Sequence, residues 1–261
     1  MEFKSLILNK EAGIATITLN RPDKLNSLTV QILTEFSAAI DDVAKDDNIR
    51  VLVITGAGRA FCAGADLGHP LFKETSAVKI YKGLDKFHDI PLKLRALPKP
   101  VIACVNGSAV GAGANIALAC DIIIAAEGAR FGQVFINIGI HVDTGGTYFL
   151  PRSIGIPKAI ELMMTGDLVE AKEAERIGMI NRVVPSEKLH QVTTQLAQKL
   201  ANGPPVALAL IKASVYDNLT RDLSSALQRE ASCQAILLNS DDNKEGISAF
   251  LEKRKPMFKG S

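Results

Sequence analysis

The chain of 261 residues has no tryptophan, three tyrosines and four cysteines. Cys62, Cys104, Cys120 and Cys233 are too few and too scattered for a disulfide framework, and no C-x-x-C pair or Cys/His cluster offers a zinc spacing. That points to a reducing compartment, the cytoplasm. An excess of either charge is also missing. The 30 Lys and Arg face 28 Asp and Glu, leaving a formal net charge of +2. A dedicated nucleic-acid binder usually carries a strongly basic face, so no nucleic-acid partner is expected. No long hydrophobic run is present either. The most apolar stretch, 101–126, is broken by Asn106, several glycines and Asp121, whereas a membrane span needs about 20 nearly unbroken apolar residues. Met1-Glu2-Phe3-Lys4-Ser5 lacks the basic start and apolar core of a signal peptide, and no membrane partner is expected.

What is present is a globular balance, with 47% hydrophobic and 22% charged residues. At about 150 residues per domain, the length fits one large domain or a core with an appendage. Two strands are expected first, at 4–9 and 13–20, rich in Ile, Leu and Thr and separated by a turn. From Thr29 the period becomes helical: Val30, Leu33, Phe36, Ile40 and Val43 share a face, with Ser27 or Thr29 as the cap. The runs 49–55, 101–105 and 122–126 read as strands buried on both faces. Between the last two, 111–119 reads as a buried helix of small residues. Strands alternating with helices predict an α/β layered core. After about Pro185 the pattern turns helical, with amphipathic helices over 186–200, 204–216, 222–238 and 243–252. The segment 68–89 mixes charges and aromatics without a period; it reads as a flap near a site or a plain surface helix-loop.

Several chemistries are disfavoured. Gly56-Ala57-Gly58 follows a strand, but position 61, where a dinucleotide fingerprint needs its third glycine, is Phe61. Neither a G-x-x-x-x-G-K-[ST] loop nor a G-x-S-x-G elbow occurs. Two turn segments remain, Phe61-Cys62-Ala63-Gly64-Ala65-Asp66-Leu67 and 105–115. Each follows a buried strand and puts tiny side chains where the chain turns. Small residues let a ligand reach backbone N–H groups, and two such turns face to face can hold a developing oxyanion. Close helix–strand packing explains either segment alone. Asp143, before Thr144-Gly145-Gly146-Thr147, reads either as the N-cap of a helix starting at Thr144 or as an ionised carboxylate for proton transfer or nucleophilic attack.

Taken together, Leu19-Asn20-Arg21-Pro22, Thr55-Gly56-Ala57-Gly58, the 61–66 and 106–113 segments, Ala119-Cys120-Asp121, Phe131-Gly132, Gly145-Gly146-Thr147 and 250–255 resemble the enoyl-CoA hydratase/isomerase family, the crotonase superfamily. The resemblance spans nearly the whole chain. It implies an α/β fold: a spiral of ββα units over 1–195, carrying the acyl-CoA site. A C-terminal helical region, 196–261, would pack subunits into a homotrimer or homohexamer. It also implies an acyl-CoA substrate and no separate cofactor or metal, coenzyme A being part of the substrate. The N–H groups of Ala65 and Ala112 would form the oxyanion hole, with Gly111 preceding the second donor. Ala63, Gly64, Asp66 and Leu67 would line the CoA side. Lys24 would approach the CoA phosphates, and Phe250 and Lys253 would touch CoA from a neighbouring subunit.

The departures from the family pattern are informative. Its hydratases use two glutamates; the matching positions are Asn115 and Phe135. Asn115 then orients a water or simply fills the helix. The setting of Asp143 resembles the ring-opening epoxyphenylacetyl-CoA isomerases, which implies a proton shuttle that moves a double bond or ring bond. Hydration of an enoyl-CoA or cyclic dienoyl-CoA by non-standard groups is the alternative. Asp143 with an aromatic at 135 and His88 also resembles 4-chlorobenzoyl-CoA dehalogenases, with His88 activating water; thioester hydrolysis is a related option. Otherwise His88, like His141, is an ordinary surface histidine. A silent acyl-CoA-binding subunit is the reading outside enzymology.

Overall fold

A computed structural model describes residues 3–261. Alternating burial builds the first hairpin. Strands β1 (Leu6–Glu11) and β2 (Ile14–Leu19) pair antiparallel, Leu6 opposite Leu19, and β2 buries Ala15, Ile17 and Leu19. A 3-10 turn at Pro22–Lys24 leads to helix α1 (Val30–Lys45), which buries Ile32, Leu33, Phe36, Ala39, Ile40 and Val43. Thr29 is its cap, the hydroxyl oxygen accepting the Ile32 N–H at 3.3 Å. Ser27, the other candidate, instead donates to Asp66.

The chain then winds through two sheets. β3 (Val51–Gly56) and β4 (Ala60–Cys62) follow α1; helices α2 (Ala77–Gly83) and α3 (Asp85–Ala96) come next. β5 (Val101–Val105), β6 (Ser108–Val110), the buried helix α4 (Ala112–Ala119), β7 (Ile122–Ala126) and β8 (Arg130–Gly132) repeat the motif. Helices α5 (Gly146–Ile154) and α6 (Ile156–Thr165), strand β9 (Leu168–Glu170), helix α7 (Ala171–Arg176) and strand β10 (Arg182–Val184) complete it. The larger sheet runs β1-β2-β3-β5-β7-β10 and the smaller β4-β6-β8-β9. The successive pairs β3–β4, β5–β6 and β7–β8 each give one strand to each sheet, which is the ββα spiral.

Burial on both faces explains the unbroken apolar runs of β3, β5 and β7. One face packs on α1, α3 and α4. The other face presents Val51, Val53, Ile102, Cys104 and Ile124 to helix α8 (Leu189–Ala201). The expected boundary at residue 195 falls inside α8, a helix that belongs to this second layer. Helices α9 (Pro205–Asn218), α10 (Leu223–Leu238) and α11 (Asp241–Leu251) follow and leave Ile211, Val215, Leu227, Ile236 and Phe250 exposed. The aperiodic segment 68–89 forms a 3-10 turn, Pro70–Lys73, then α2 and the first turn of α3.

One buried polar cluster fastens α9 to the core. Asp121 accepts the Tyr216 hydroxyl at 2.6 Å and the Val101 N–H at 2.7 Å, and pairs with Lys212 at 2.9 Å. Both partners of the ion pair are nearly closed to solvent. Removing one partner of a buried pair leaves the other charge uncompensated, at a cost of about 3 kcal/mol. Asp121→Ala is therefore expected to lower stability by about that amount in urea unfolding. A change like that of an exposed pair such as Lys244–Asp241 would refute the assignment.

Candidate active site

In the smaller sheet β4, β6 and β8 are parallel, with Ala60 opposite Ser108 and Ala109 opposite Phe131. Their carboxyl ends therefore deliver three turns to one edge: 63–65, 111–112 and 133–135. The first two touch. A Cβ on Gly64 would sit 2.9 Å from the Val110 carbonyl oxygen and 3.5 Å from the Ala112 nitrogen, and Gly64 has φ +83°. Gly111, at φ +55°, turns β6 into α4. Only residues without a Cβ permit both the approach and these dihedrals.

These turns leave two donors free. Leu28 donates to the Gly64 carbonyl at 2.8 Å and Asp66 donates to the Leu28 carbonyl at 3.0 Å, so the bridge skips Ala65. Ala112 opens α4, where the first N–H groups have no intrahelical acceptor. Neither N–H is consumed by a hydrogen bond among the described residues, and both residues wall the same cavity of about 810 Å³. Ala63, Gly64, Leu67 and Gly111 share that wall.

Asp143 faces this cavity too. It does not cap α5, which starts at Gly146. Thr144 at φ +53° and Gly145 at φ +82° are left-handed, and Gly145 occupies the cap position with no side-chain bond. The carboxylate is thereby released from helix duty. Its Oδ1 accepts the Thr144 hydroxyl at 2.7 Å. Burial pushes the Asp143 carboxyl above the usual carboxylate range; the Thr144 hydrogen bond and the fields of His88 and His141 oppose the shift. A carboxyl whose folded pKa is raised binds its proton more tightly folded than unfolded. Stability is then lost as pH climbs from the unfolded pKa through the folded one. Asp143→Asn is expected to melt higher than the parent at pH 8, with the gap closing as pH falls into the ordinary carboxylate range. A constant gap across that range would refute the shift.

Asn115 is fully buried and holds this loop from behind. Its amide nitrogen donates to the Asp143 carbonyl at 2.7 Å, and its oxygen accepts from the Gln133 amide at 2.7 Å. It does not line the cavity, and its side chain holds backbone. Gln133 carried no sequence signal. A Cβ on Gly146 would come within 2.5 Å of the Asn115 amide and of Val142, which accounts for the Gly145-Gly146 pair.

Phe135 is buried in the wall beneath Gly111, and His88 and His141 are on the wall with Asp143. The His141 Nδ1 bonds the Val142 carbonyl at 2.6 Å. His69 also lines the cavity and went unnoticed in sequence, being a lone histidine in an aperiodic stretch. Four of the expected residues do not line this cavity, two of them expected at the CoA of a neighbouring subunit. Asp66 turns away to pair with Arg21 at 3.0 Å, and the Gly68 N–H with that guanidinium holds its carboxyl below the usual range. Lys24 is exposed in its 3-10 turn. Phe250 and Lys253, at the end of α11, belong to a separate surface groove and an exposed turn respectively. Among the described residues no cluster of three or more His, Cys, Asp or Glu is arranged for a metal, and no helix is long and apolar enough to cross a membrane.

The two-sheet spiral with its helical C-terminal part is the crotonase fold. An enoyl-CoA hydratase subunit from Geobacillus kaustophilus HTA426 superposes with a TM-score of 0.93 at 41% identity, covering 100% of both chains. The model of the enoyl-CoA hydratase/isomerase family matches residues 9–261. The chain belongs to that family and is an enzyme acting on acyl-CoA thioesters. It is 42% identical to the 1,2-epoxyphenylacetyl-CoA isomerase of Escherichia coli (strain K12), over 100% of this chain and 99% of that protein. It is 37% identical to the short-chain-enoyl-CoA hydratase of Clostridium acetobutylicum, over 98% and 97% respectively.

Proposed function

We propose that the protein is an acyl-CoA isomerase that moves a double bond or ring bond through a thioester enolate, with Asp143 as the acid/base. One observation carries this reading: among the described residues Asp143 is the single carboxylate on the wall of a cavity that also presents the Ala65 and Ala112 N–H groups. The carboxylate takes a proton from the carbon next to the thioester. The electron pair moves onto the thioester oxygen, where the two N–H groups hold it. Asp143, now neutral, returns the proton two carbons away, and the enolate collapses to the conjugated thioester. Atoms and charge balance without a co-reactant, and no cofactor is assigned. Asn115 and Phe135 support the choice over ordinary hydration. One is a buried amide hydrogen-bonded to backbone and to Gln133 behind the loop and the other is apolar, so neither replaces the second carboxylate.

The test is a 3-enoyl-CoA incubated in heavy water, read by mass spectrometry and by absorbance of the conjugated product. Conjugation with deuterium uptake supports isomerisation. A conjugated product that then gains water favours the hydratase alternative. For the assembly we propose a homotrimer or homohexamer built on α9–α11, whose apolar residues stay exposed in the single chain. The four free cysteines support a cytoplasmic location.

A further inference from the structure

Thr144 stands in a conformation that its side chain does not favour. It is fully buried, and its φ of +53° lies in the left-handed region. A β-branched residue is an outlier there, because the Cβ crowds the following carbonyl oxygen. Such strain persists only where the surroundings over-determine it, and it clusters at functional sites. Here the surroundings are the Asn115 amide and the Gly146 N–H, which donate to the Asp143 carbonyl at 2.7 Å and 3.0 Å and so fix the peptide that enters Thr144. Glycine or asparagine would take this bend at lower cost, so the bend alone does not call for threonine. What threonine adds is a hydroxyl beside a carboxyl: its Oγ1 donates to Asp143 Oδ1 at 2.7 Å. Asp143 Oδ2 accepts no hydrogen bond among the described residues and is not sealed from solvent, and Asp143 lines the cavity.

We propose that Thr144 is a positioning residue: its hydroxyl pins Oδ1 of Asp143, so that Oδ2 is the oxygen presented to the substrate carbon. Two donors hold the Asp143 main chain and a third holds one carboxyl oxygen, which leaves the side chain a single way to face the acyl group. The hydroxyl also favours the ionised carboxyl, the form that takes the proton, against the burial that disfavours it. The other titratable groups facing this carboxyl are His88, from α3, and His141, from its own loop; Asn115 and Phe135 carry no charge. The inference rests on Asp143 being the acid/base, and it adds the residue that aims it.

The test compares Thr144→Val and Thr144→Ser with the parent enzyme on a 3-enoyl-CoA. Valine is branched like threonine, so it keeps the shape and the left-handed strain and loses only the hydroxyl; serine keeps the hydroxyl. Thr144→Val is expected to lower kcat about 10-fold with KM within about threefold. It is also expected to move the rise of kcat/KM to higher pH, because the carboxylate has lost a donor. Both histidines remain in every variant, so their titration is common to all the profiles. Thr144→Ser is expected to restore most of kcat and the parent profile. A purely structural threonine would lower the melting temperature and leave the profile in place, and that result overturns the proposal. A serine variant no better than the valine variant overturns it as well. The Asp143 carboxyl is also titrated directly, by carbon-13 NMR of the parent and of Thr144→Val without substrate, and a higher pKa is expected in the variant. An unmoved carboxyl pKa overturns the proposal whatever the activity. A moved pKa in an enzyme that Asp143→Asn leaves fully active would instead overturn the acid/base reading on which it rests.

Discussion

Asp143→Asn is expected to lower the isomerisation rate by about 10³ while acyl-CoA affinity stays within about threefold, a loss in the range of a positioned general acid/base. The substitution keeps the shape of the side chain and its acceptor for the Thr144 hydroxyl. It keeps the backbone carbonyl that Asn115 and Gly146 hold, because that carbonyl belongs to the main chain. What disappears is a group able to carry the proton. The pH profile adds a second readout. The base form is needed in the free enzyme, so kcat/KM is expected to rise with pH through a pKa above the ordinary carboxylate range, where burial places Asp143. Deuterium exchange at the same rate in both proteins would remove Asp143 from the mechanism. His88 or His141 would then be the next base to test on that wall.

Gly113→Ala is expected to cost about 10²-fold in kcat, the scale of losing one oxyanion donor. Gly113 is the second residue of α4. A Cβ there would overlap the Cys62 carbonyl oxygen and lie 2.7 Å from the Cys62 Cβ. These are main-chain and short side-chain atoms that cannot rotate away. The helix must therefore retreat from β4, carrying the Ala112 N–H away from Ala65. Overpacking of this kind also costs stability, about 1–3 kcal/mol. The control is Gly128→Ala, where nothing lies within 4 Å of the added methyl. Rates are compared at saturating substrate well below the melting temperature of each variant. If Gly113→Ala loses stability but keeps its rate, the donor pair does not stabilise the transition state.

Parts of this architecture are legible in the sequence. Val101–Val105 and Ile122–Ala126 match the expected strands residue for residue, and Ala112–Ala119 matches the buried helix within one. Strands buried on both faces must be apolar throughout, and a run of five such residues is too short for a buried helix of ordinary length. Two C-terminal helices, Leu189–Ala201 and Leu223–Leu238, fall close to their expected spans, whereas Pro205–Asn218 forms a helix without the amphipathic period expected of it. By contrast β4, β6 and β8 have three residues each, too few to show a period, although they form the sheet that carries the site. The cap reading of Asp143 fails because two left-handed residues, Thr144 and Gly145, push the helix start to Gly146. Sequence spacing cannot report that. Asp66 is expected beside CoA because its neighbours are; Arg21, distant in sequence, captures it.

The sequence by itself determined the family, the α/β alternation and the residue types available for chemistry, because those follow from periodicity, burial and motif order. Through the resemblance it also placed Asn115 and Phe135 where the family's hydratases carry glutamate, so that ordinary two-glutamate hydration was not the expectation. Only the tertiary structure decided which groups share a wall. Parallel pairing of β4, β6 and β8 brings turns almost 50 and 70 residues apart to one edge. The bridge from Leu28 leaves the Ala65 N–H free, the start of α4 leaves that of Ala112 free, and Arg21 draws Asp66 aside. Hydrogen-bond partners are chosen by proximity in space, and a linear pattern carries no record of that proximity.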